Sequence, residues 1–368
     1  MFAKATALIN LENLKHNARL ARSSAPDSKL LAVVKANAYG HGVHEVTRAL
    51  SDAGLAEGFA VARFDEALAL RQTERNHPLL ILGGVYSNNE LDSCLQHHID
   101  VVVHQQEQVE LLCKHISHRN TKINVWLKMD SGMHRLGVMP EFFAKNFQAL
   151  AKLKFVNQVV AMSHFANAEH PANAHTQQQL DTFLQVLENM PDKNSISYSL
   201  ANSAAVLNWK NSHGSWVRPG LMLYGINPLP NEDSLGLKPV MSLQAPIVSI
   251  RSVRKGEYVG YNLRWHAQRD SLIATVALGY ADGYPTQIKA ETPVLIDGQR
   301  APIIGRVSMD LTTVDCTDLS DVNTGDTVTF WGEDAQGNWL AVEEIAAQAN
   351  TIPYDLVSKV GARVKYRY

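Results

Sequence analysis

Cysteine is scarce: Cys94, Cys113 and Cys316 are the only three in 368 residues. They are far apart and form no Cys-x-x-Cys pair. The odd count and wide spacing argue against a disulfide framework or a cysteine zinc site, and fit a reducing compartment. No apolar run approaches the ~20 residues of a membrane span, and the start Met-Phe-Ala-Lys-Ala-Thr lacks a long apolar core. No signal peptide is expected, and cytoplasmic residence is. Neither charge sign is in surplus: Lys plus Arg is 34, Asp plus Glu is 36, and the net charge is -2. Nothing global draws such a chain to nucleic acid or to an anionic membrane. Internal repeats and low-complexity tracts are absent too. Small-molecule chemistry and protein partners remain.

What the chain does have is apolar material. Hydrophobic residues make up 45% and charged residues 19%, enough to bury sizeable cores, and 368 residues suit two domains. In the first two thirds, short apolar runs alternate with longer amphipathic ones. The short runs are Leu30–Val34, Gly58–Arg63, Leu79–Gly83, Val101–His104, Ile123–Met129, Val159–His164, Ile196–Leu200 and Val217–Tyr224. They are rich in Val, Ile and Leu, as parallel strands buried on both faces are. Helical patterns lie between them, among others at Val43–Leu50, Phe64–Arg71, Gln106–Ile116, Glu141–Leu153 and Gln177–Met190. Strand then helix, repeated about eight times, is the pattern of an α/β protein with a TIM-like (β/α)8 barrel; an open doubly wound sheet is the alternative.

After Pro239 the texture changes. Met241–Val253, Glu257–Tyr261, Ser271–Gly279, Thr292–Ile304, Leu311–Val314 and Thr327–Gly332 are short and rich in Val, Ile and Thr. Turns such as Asp297-Gly298 and Lys255-Gly256 separate several of them, and one short helix is expected at Val342–Ala349. The reading is a barrel domain over 1–238 and a mainly β domain over 239–368, with 227–238 as the linker.

In such a barrel the active site lies at the C-terminal ends of the strands. Lys35 ends the first strand. Lys128 and Asp130 end the fifth, with Arg135 just beyond, His164 ends the sixth, Asn202 and Ser203 follow the seventh, and Arg218 and Gly220 belong to the eighth. An isolated Lys35 would most simply be a solvated strand end; the convergence of several polar groups on one mouth raises it above that. Burial would lower its pKa and free the amine that Schiff-base formation needs. Other motifs fail. Gly40-His41-Gly42 begins like a dinucleotide fingerprint, but Glu45 replaces the third glycine. His44-Glu45 begins like a zinc-protease motif, but Arg48 replaces the second histidine. His164, His170 and His175 do not share one helix face, so no metal is expected.

Val33–Gly42 resembles the cofactor-lysine signature of alanine racemases. Leu127–Gly137, Ser163-His164-Phe165, Ala201–Ala204, Val217–Gly225, Gly260-Tyr261-Asn262, Leu278–Tyr284, Gly305–Asp310 and Thr351–Tyr354 match that family in its order, across nearly the whole chain. The resemblance implies a pyridoxal 5'-phosphate enzyme with a (β/α)8 barrel followed by a mainly β domain, which a short N-terminal strand joins; Thr6–Ile9 would be that strand. It implies Lys35 as the cofactor lysine and one catalytic base, and Tyr261 as the opposing base. Arg218 would hydrogen-bond the pyridine nitrogen, with His164 behind Arg218 and Tyr261. Arg135 and Met309 would hold the substrate carboxylate. Tyr39, Ser203, Gly220, Leu221 and Tyr354 would bind the phosphate, and Tyr280 would line the way in. Lys128 matches a lysine that is carbamylated in some members. The substrate would be alanine, the product D-alanine would feed peptidoglycan synthesis, and two copies would form a head-to-tail homodimer with composite sites. A serine or broad-specificity racemase is the nearest alternative. A basic amino-acid decarboxylase would need a carboxylate at the position of Arg218, and a pyridoxal-phosphate homeostasis protein would have no β domain.

Overall fold

The computed structural model describes residues 4–116, 120–229 and 235–368. The linker expected over 227–238 therefore lies partly, at 230–234, outside the described residues. Strand β1 (Thr6–Ile9) comes first, followed by the barrel strands β2 (Lys29–Val33), β3 (Gly58–Val61), β4 (Leu79–Ile81), β5 (Asp100–Val103), β6 (Ile123–Lys128), β7 (Val156–Met162), β8 (Tyr198–Ser199) and β9 (Trp216–Val217). They form one eight-stranded parallel sheet in the order β8-β7-β6-β5-β4-β3-β2-β9. β3 and β5 are buried at every position, because helices cover one face and the barrel interior the other.

The seam between β8 and β9 closes without a ladder. Ser199 Oγ donates to Trp216 O at 2.8 Å, and Arg218 N donates to Ala201 O at 2.9 Å. A nearly closed barrel results, as the strand count suggests. The run Val217–Tyr224 is not one strand. Pro219 cannot donate to a ladder, so β9 stops at Val217 and Leu221–Tyr224 turns into a 3-10 helix. Similarly, only Tyr198–Ser199 of Ile196–Leu200 is extended into the sheet. Helix Ala174–Glu188 starts three residues ahead of the apolar pattern, because Asn173 caps it by accepting from His175 N at 2.9 Å. Helices Leu11–Ser24 and Asn88–His97 join those read from periodicity; the second buries only Leu91, Cys94 and Leu95.

The second region holds β10 (Met241–Val253), β11 (Tyr258–Val259), β12 (Trp265–His266), β13 (Ser271–Val276), β14 (Pro293–Ile296), β15 (Gln299–Ile304), β16 (Thr312–Asp315), β17 (Thr327–Glu333), β18 (Trp339–Leu340) and β19 (Lys365–Arg367). β10 bends past an irregularity near Ile247. Its first half pairs with β17 and its second with β13, so β17-β14-β15-β16-β13-β10 closes into a ring. The expected run Thr292–Ile304 is a hairpin, β14 and β15, turning at Asp297 (φ 46°) and Gly298 (φ 77°). Two positive φ values make the primed turn that matches strand twist. β1 lies antiparallel to β10 and parallel to β19, so the N-terminal strand extends this β sheet. Cys94, Cys113 and Cys316 are free thiols. Among the described residues, no helix is long and apolar enough to cross a membrane.

Candidate active site

Lys35 follows β2 directly. The backbone then does something unusual for its residue types. Ala36, Asn37, Ala38 and Tyr39 have φ of 52°, 55°, 54° and 53°, and Gly40 follows at 81°. A left-handed turn costs an L-residue roughly 1–2 kcal/mol each, so neighbouring groups must hold it. Ala36 N donates to Glu66 Oε1 at 2.7 Å, Gly42 N to Asn37 O at 3.0 Å, and Val43 N to Asn37 Oδ1 at 2.9 Å. His41, buried and held neutral by that burial, donates from Nδ1 to Tyr39 O at 2.9 Å. Gly40 is required for a second reason: a Cβ there would sit 2.1 Å from Val357 O. The turn is thus pressed against helix Pro353–Ser358, the element that carries Tyr354.

The turn swings Tyr39 toward the loop after β9. A Cβ on Gly220 would lie 2.6 Å from the Tyr39 hydroxyl. Ser203 Oγ accepts from Gly220 N at 3.0 Å and from Met222 N at 3.3 Å. The Tyr39 and Tyr354 rings are 5.9 Å apart. Tyr39, Ser203, Gly220 and Tyr354 therefore meet in one hydroxyl- and amide-rich cradle, with Leu221 next in the chain. Burial raises the pKa of both tyrosines, so each stays a neutral phenol able to donate.

Arg218 is buried beside the cradle. Its Nη1 donates to Ser199 Oγ at 2.6 Å, and its Nη2 to Ser163 O at 2.7 Å and Leu200 O at 3.2 Å. Nη2 also reaches His164 Nδ1 at 3.3 Å, which makes that nitrogen the acceptor of a neutral imidazole. Ser163 is pinned in turn: its Oγ donates to Met129 O at 2.9 Å and so accepts from Ser131 Oγ at 2.8 Å. Burial lowers Arg218 to about 9, which still leaves it charged at neutral pH.

Positive charge accumulates at this mouth. Lys35 is lowered by burial and then by Arg135, with Glu66 opposing. Lys128 is pushed down to about 8 by burial, then by Arg218 and Arg135. His164 is pushed well down by burial, then by the same cations. Buried like charges side by side are costly unless an anion joins them. No group of His, Cys, Asp or Glu suited to a metal exists among the described residues. The pattern instead fits an anionic group with a carbonyl end near the Lys35 amine and a phosphate in the cradle.

Tyr261, Met309 and Tyr280 are placed differently. They are 68%, 53% and 42% exposed on the β region. Tyr280 N donates to Ser308 O at 3.0 Å and Ala281 N to Met309 O at 2.9 Å, so those two loops lie together. Gly260, ahead of Tyr261, approaches Arg306 N, which brings Tyr261 to the same side. No hydrogen bond, ring contact or charge interaction joins these three to the barrel mouth among the described residues. Glu66 and Ser199 are site residues the sequence reading did not name, and it gave Ser163 and Asn37 no role of their own. The one available signal was the acidic pair Asp65-Glu66 in the first turn of helix Phe64–Arg71.

Comparison with known proteins gives a consistent result. The family described as alanine racemase, N-terminal domain, matches residues 9–228, and alanine racemase, C-terminal domain, matches 240–368. The biosynthetic alanine racemase of Pseudomonas aeruginosa is 44% identical, over 98% of each chain. The alanine racemase of Aromatoleum aromaticum is 43% identical, over 99% of each. Among solved structures, the biosynthetic alanine racemase from Pseudomonas aeruginosa superposes with a TM-score of 0.92 at 43% identity, covering 100% of this chain and 99% of that one. The alanine racemase from Bartonella henselae, with covalently bound pyridoxal phosphate, gives 0.89 at 30% identity and covers 100% of both.

Proposed function

The chain belongs to the alanine racemase family, pyridoxal-phosphate-dependent isomerases that interconvert L- and D-alanine, and we propose that it does so with Lys35 and Tyr261 as two opposed proton-transfer groups. What supports this assignment most is one observation: a lysine on a braced turn stands at a cationic mouth with a hydroxyl- and amide-rich cradle alongside.

Lys35 holds the cofactor covalently. Tyr39, Ser203, Tyr354 and the amides of Gly220 and Leu221 take its phosphate. When bound, pyridoxal phosphate supplies an electron sink that acidifies the α-proton of the substrate. Arg218 would hydrogen-bond the ring nitrogen. A guanidinium can only donate, so it disfavours protonation of that nitrogen and tempers the sink. Returning a proton to the substrate α-carbon is thereby favoured over transamination. Arg135 and the Met309 backbone hold the substrate carboxylate, and Tyr280 lines the approach. Lys128, with its amine pushed down to about 8, has the neutral form that carbamate formation needs.

Racemisation requires a proton to leave one face of the α-carbon and another to arrive on the opposite face. Lys35 serves one face. Tyr261 serves the other. Because Tyr261 is exposed on its own chain, it serves the Lys35 site of a second copy. The assembly is a head-to-tail homodimer, supported by the exposed apolar side chains Tyr258, Leu263, Leu311 and Ile352 around these groups. Residence is cytoplasmic, and the D-alanine made supplies peptidoglycan synthesis.

The direct test is D-alanine formation from L-alanine by the purified chain with added pyridoxal 5'-phosphate, with L-serine assayed alongside. Turnover of alanine well above serine is expected. Equal turnover would move the assignment to a broad-specificity racemase.

A further inference from the structure

Glu66 sits in the first turn of helix Phe64–Arg71, directly after β3. Its Oε2 accepts from Ala62 N at 2.8 Å and from Arg63 N at 3.1 Å, which already caps its own helix. Its Oε1 does something a cap does not need. It reaches across to the neighbouring strand end and accepts from Ala36 N at 2.7 Å. Ala36 is the residue after Lys35 and the first of the left-handed run, with φ 52°. Nothing in the alanine side chain favours that conformation. The Glu66 carboxylate anchors the first amide of that run through a charge-assisted hydrogen bond. Arg135, from the loop after β6, and Glu66 act on the Lys35 charge, and Lys128 and the neutral His164 feel that charge in turn. Glu66 is the one of opposite sign.

We propose that Glu66 is a positioning residue for Lys35: one carboxylate ties the Ala36 amide to the start of the next helix and so fixes the direction in which the lysine amine leaves its strand. The inference rests on Lys35 being the cofactor lysine. Two roles follow from the geometry. The clamp holds the turn that also carries Tyr39 into the cradle, so amine and phosphate site keep one spacing. The charge offsets part of the push that Arg135 exerts on the amine.

Glu66→Gln separates these roles from plain capping. Its oxygen can still serve one side, but its NH2 group then opposes N–H donors on the other. In full-length protein purified with its cofactor, borohydride reduction and peptide mapping first identify the modified lysine. A lysine other than Lys35 would overturn the site assignment itself. The cofactor is then stripped with hydroxylamine. Reductive methylation of Lys35 across pH gives its titration midpoint, and readdition of pyridoxal 5'-phosphate gives the reloading rate. Glu66→Gln is expected to lower the midpoint by roughly half a pH unit or more and to slow reloading by roughly tenfold. Ser87→Ala is the control. It removes a comparable cap, Ser87 Oγ to Glu90 N at 3.2 Å, from helix Asn88–His97. It should lower Tm and move neither readout. If Glu66→Gln behaves like Ser87→Ala, with a lower Tm and unchanged midpoint and reloading, Glu66 is only a helix cap and the proposal falls.

Discussion

At the barrel mouth Arg218, Ser203 and Lys128 are 4%, 6% and 7% exposed, whereas Tyr261, Met309 and Tyr280 on the β region are 68%, 53% and 42% exposed. The first set is finished within one chain. Arg218 donates to four acceptors at the strand ends, and its serine partners are themselves tied down. The second set is presented outward on short turns, and the described residues of the same chain leave much of it open. Buried groups of one sign are stabilised by an anionic ligand; exposed aromatic and thioether groups are stabilised by another surface. Under the proposed two-copy arrangement, one half of this site awaits a cofactor and the other half a second chain.

The sharpest way to break that contrast is to remove one proposed proton-transfer group from each side. Lys35→Ala should lose about 10⁴-fold or more of racemisation, together with the visible absorbance of the bound cofactor. Tyr261→Phe should lose roughly 10²–10⁴-fold yet keep cofactor absorbance, because Lys35 and the cradle are untouched. Solvent-deuterium exchange should show one direction of proton transfer impaired more than the other. Equal impairment in both directions would argue against opposed groups.

A smaller effect probes the cost of preassembled charge. Lys128 is lowered to about 8 by burial and by its cationic neighbours. The folded chain therefore binds fewer protons than the unfolded one between about 8 and the ordinary lysine value. Its penalty is full at pH 7 and fades as pH climbs toward ~10. In cofactor-free protein and CO2-depleted buffer, Lys128→Met should raise stability at pH 7 by roughly 1–3 kcal/mol. The gain should shrink in melts at pH 10. A gain that ignores pH would mean that packing, not charge, is responsible. Tyr261→Phe should show no such pH-dependent gain.

Legibility in the sequence followed the same division. The barrel strands were readable because burial on both faces leaves near-continuous Val, Ile and Leu runs, and Lys35 stood out as the residue ending the first of them. The second region was readable as β from its composition, but its closure into a ring was not, since the bend in β10 has no marker beyond Pro246. The left-handed turn Ala36–Tyr39 was invisible, because neither alanine nor tyrosine signals positive φ. Glu66 was hidden for a related reason: its partner is a backbone amide thirty residues away, and periodicity carries no information about that. The run Val217–Tyr224 was over-read as strand because apolar continuity outweighed Pro219 and Gly220.

Complementation tests the central claim most directly. Lys35→Ala and Tyr261→Phe chains are prepared separately, mixed, unfolded together and refolded with pyridoxal 5'-phosphate. If the site is composite, half of the random dimers hold one intact Lys35–Tyr261 site, and activity should return to about a quarter of the unmutated level. If both groups act within one chain, every site in the mixture lacks one of them, and no activity above the separate variants will appear.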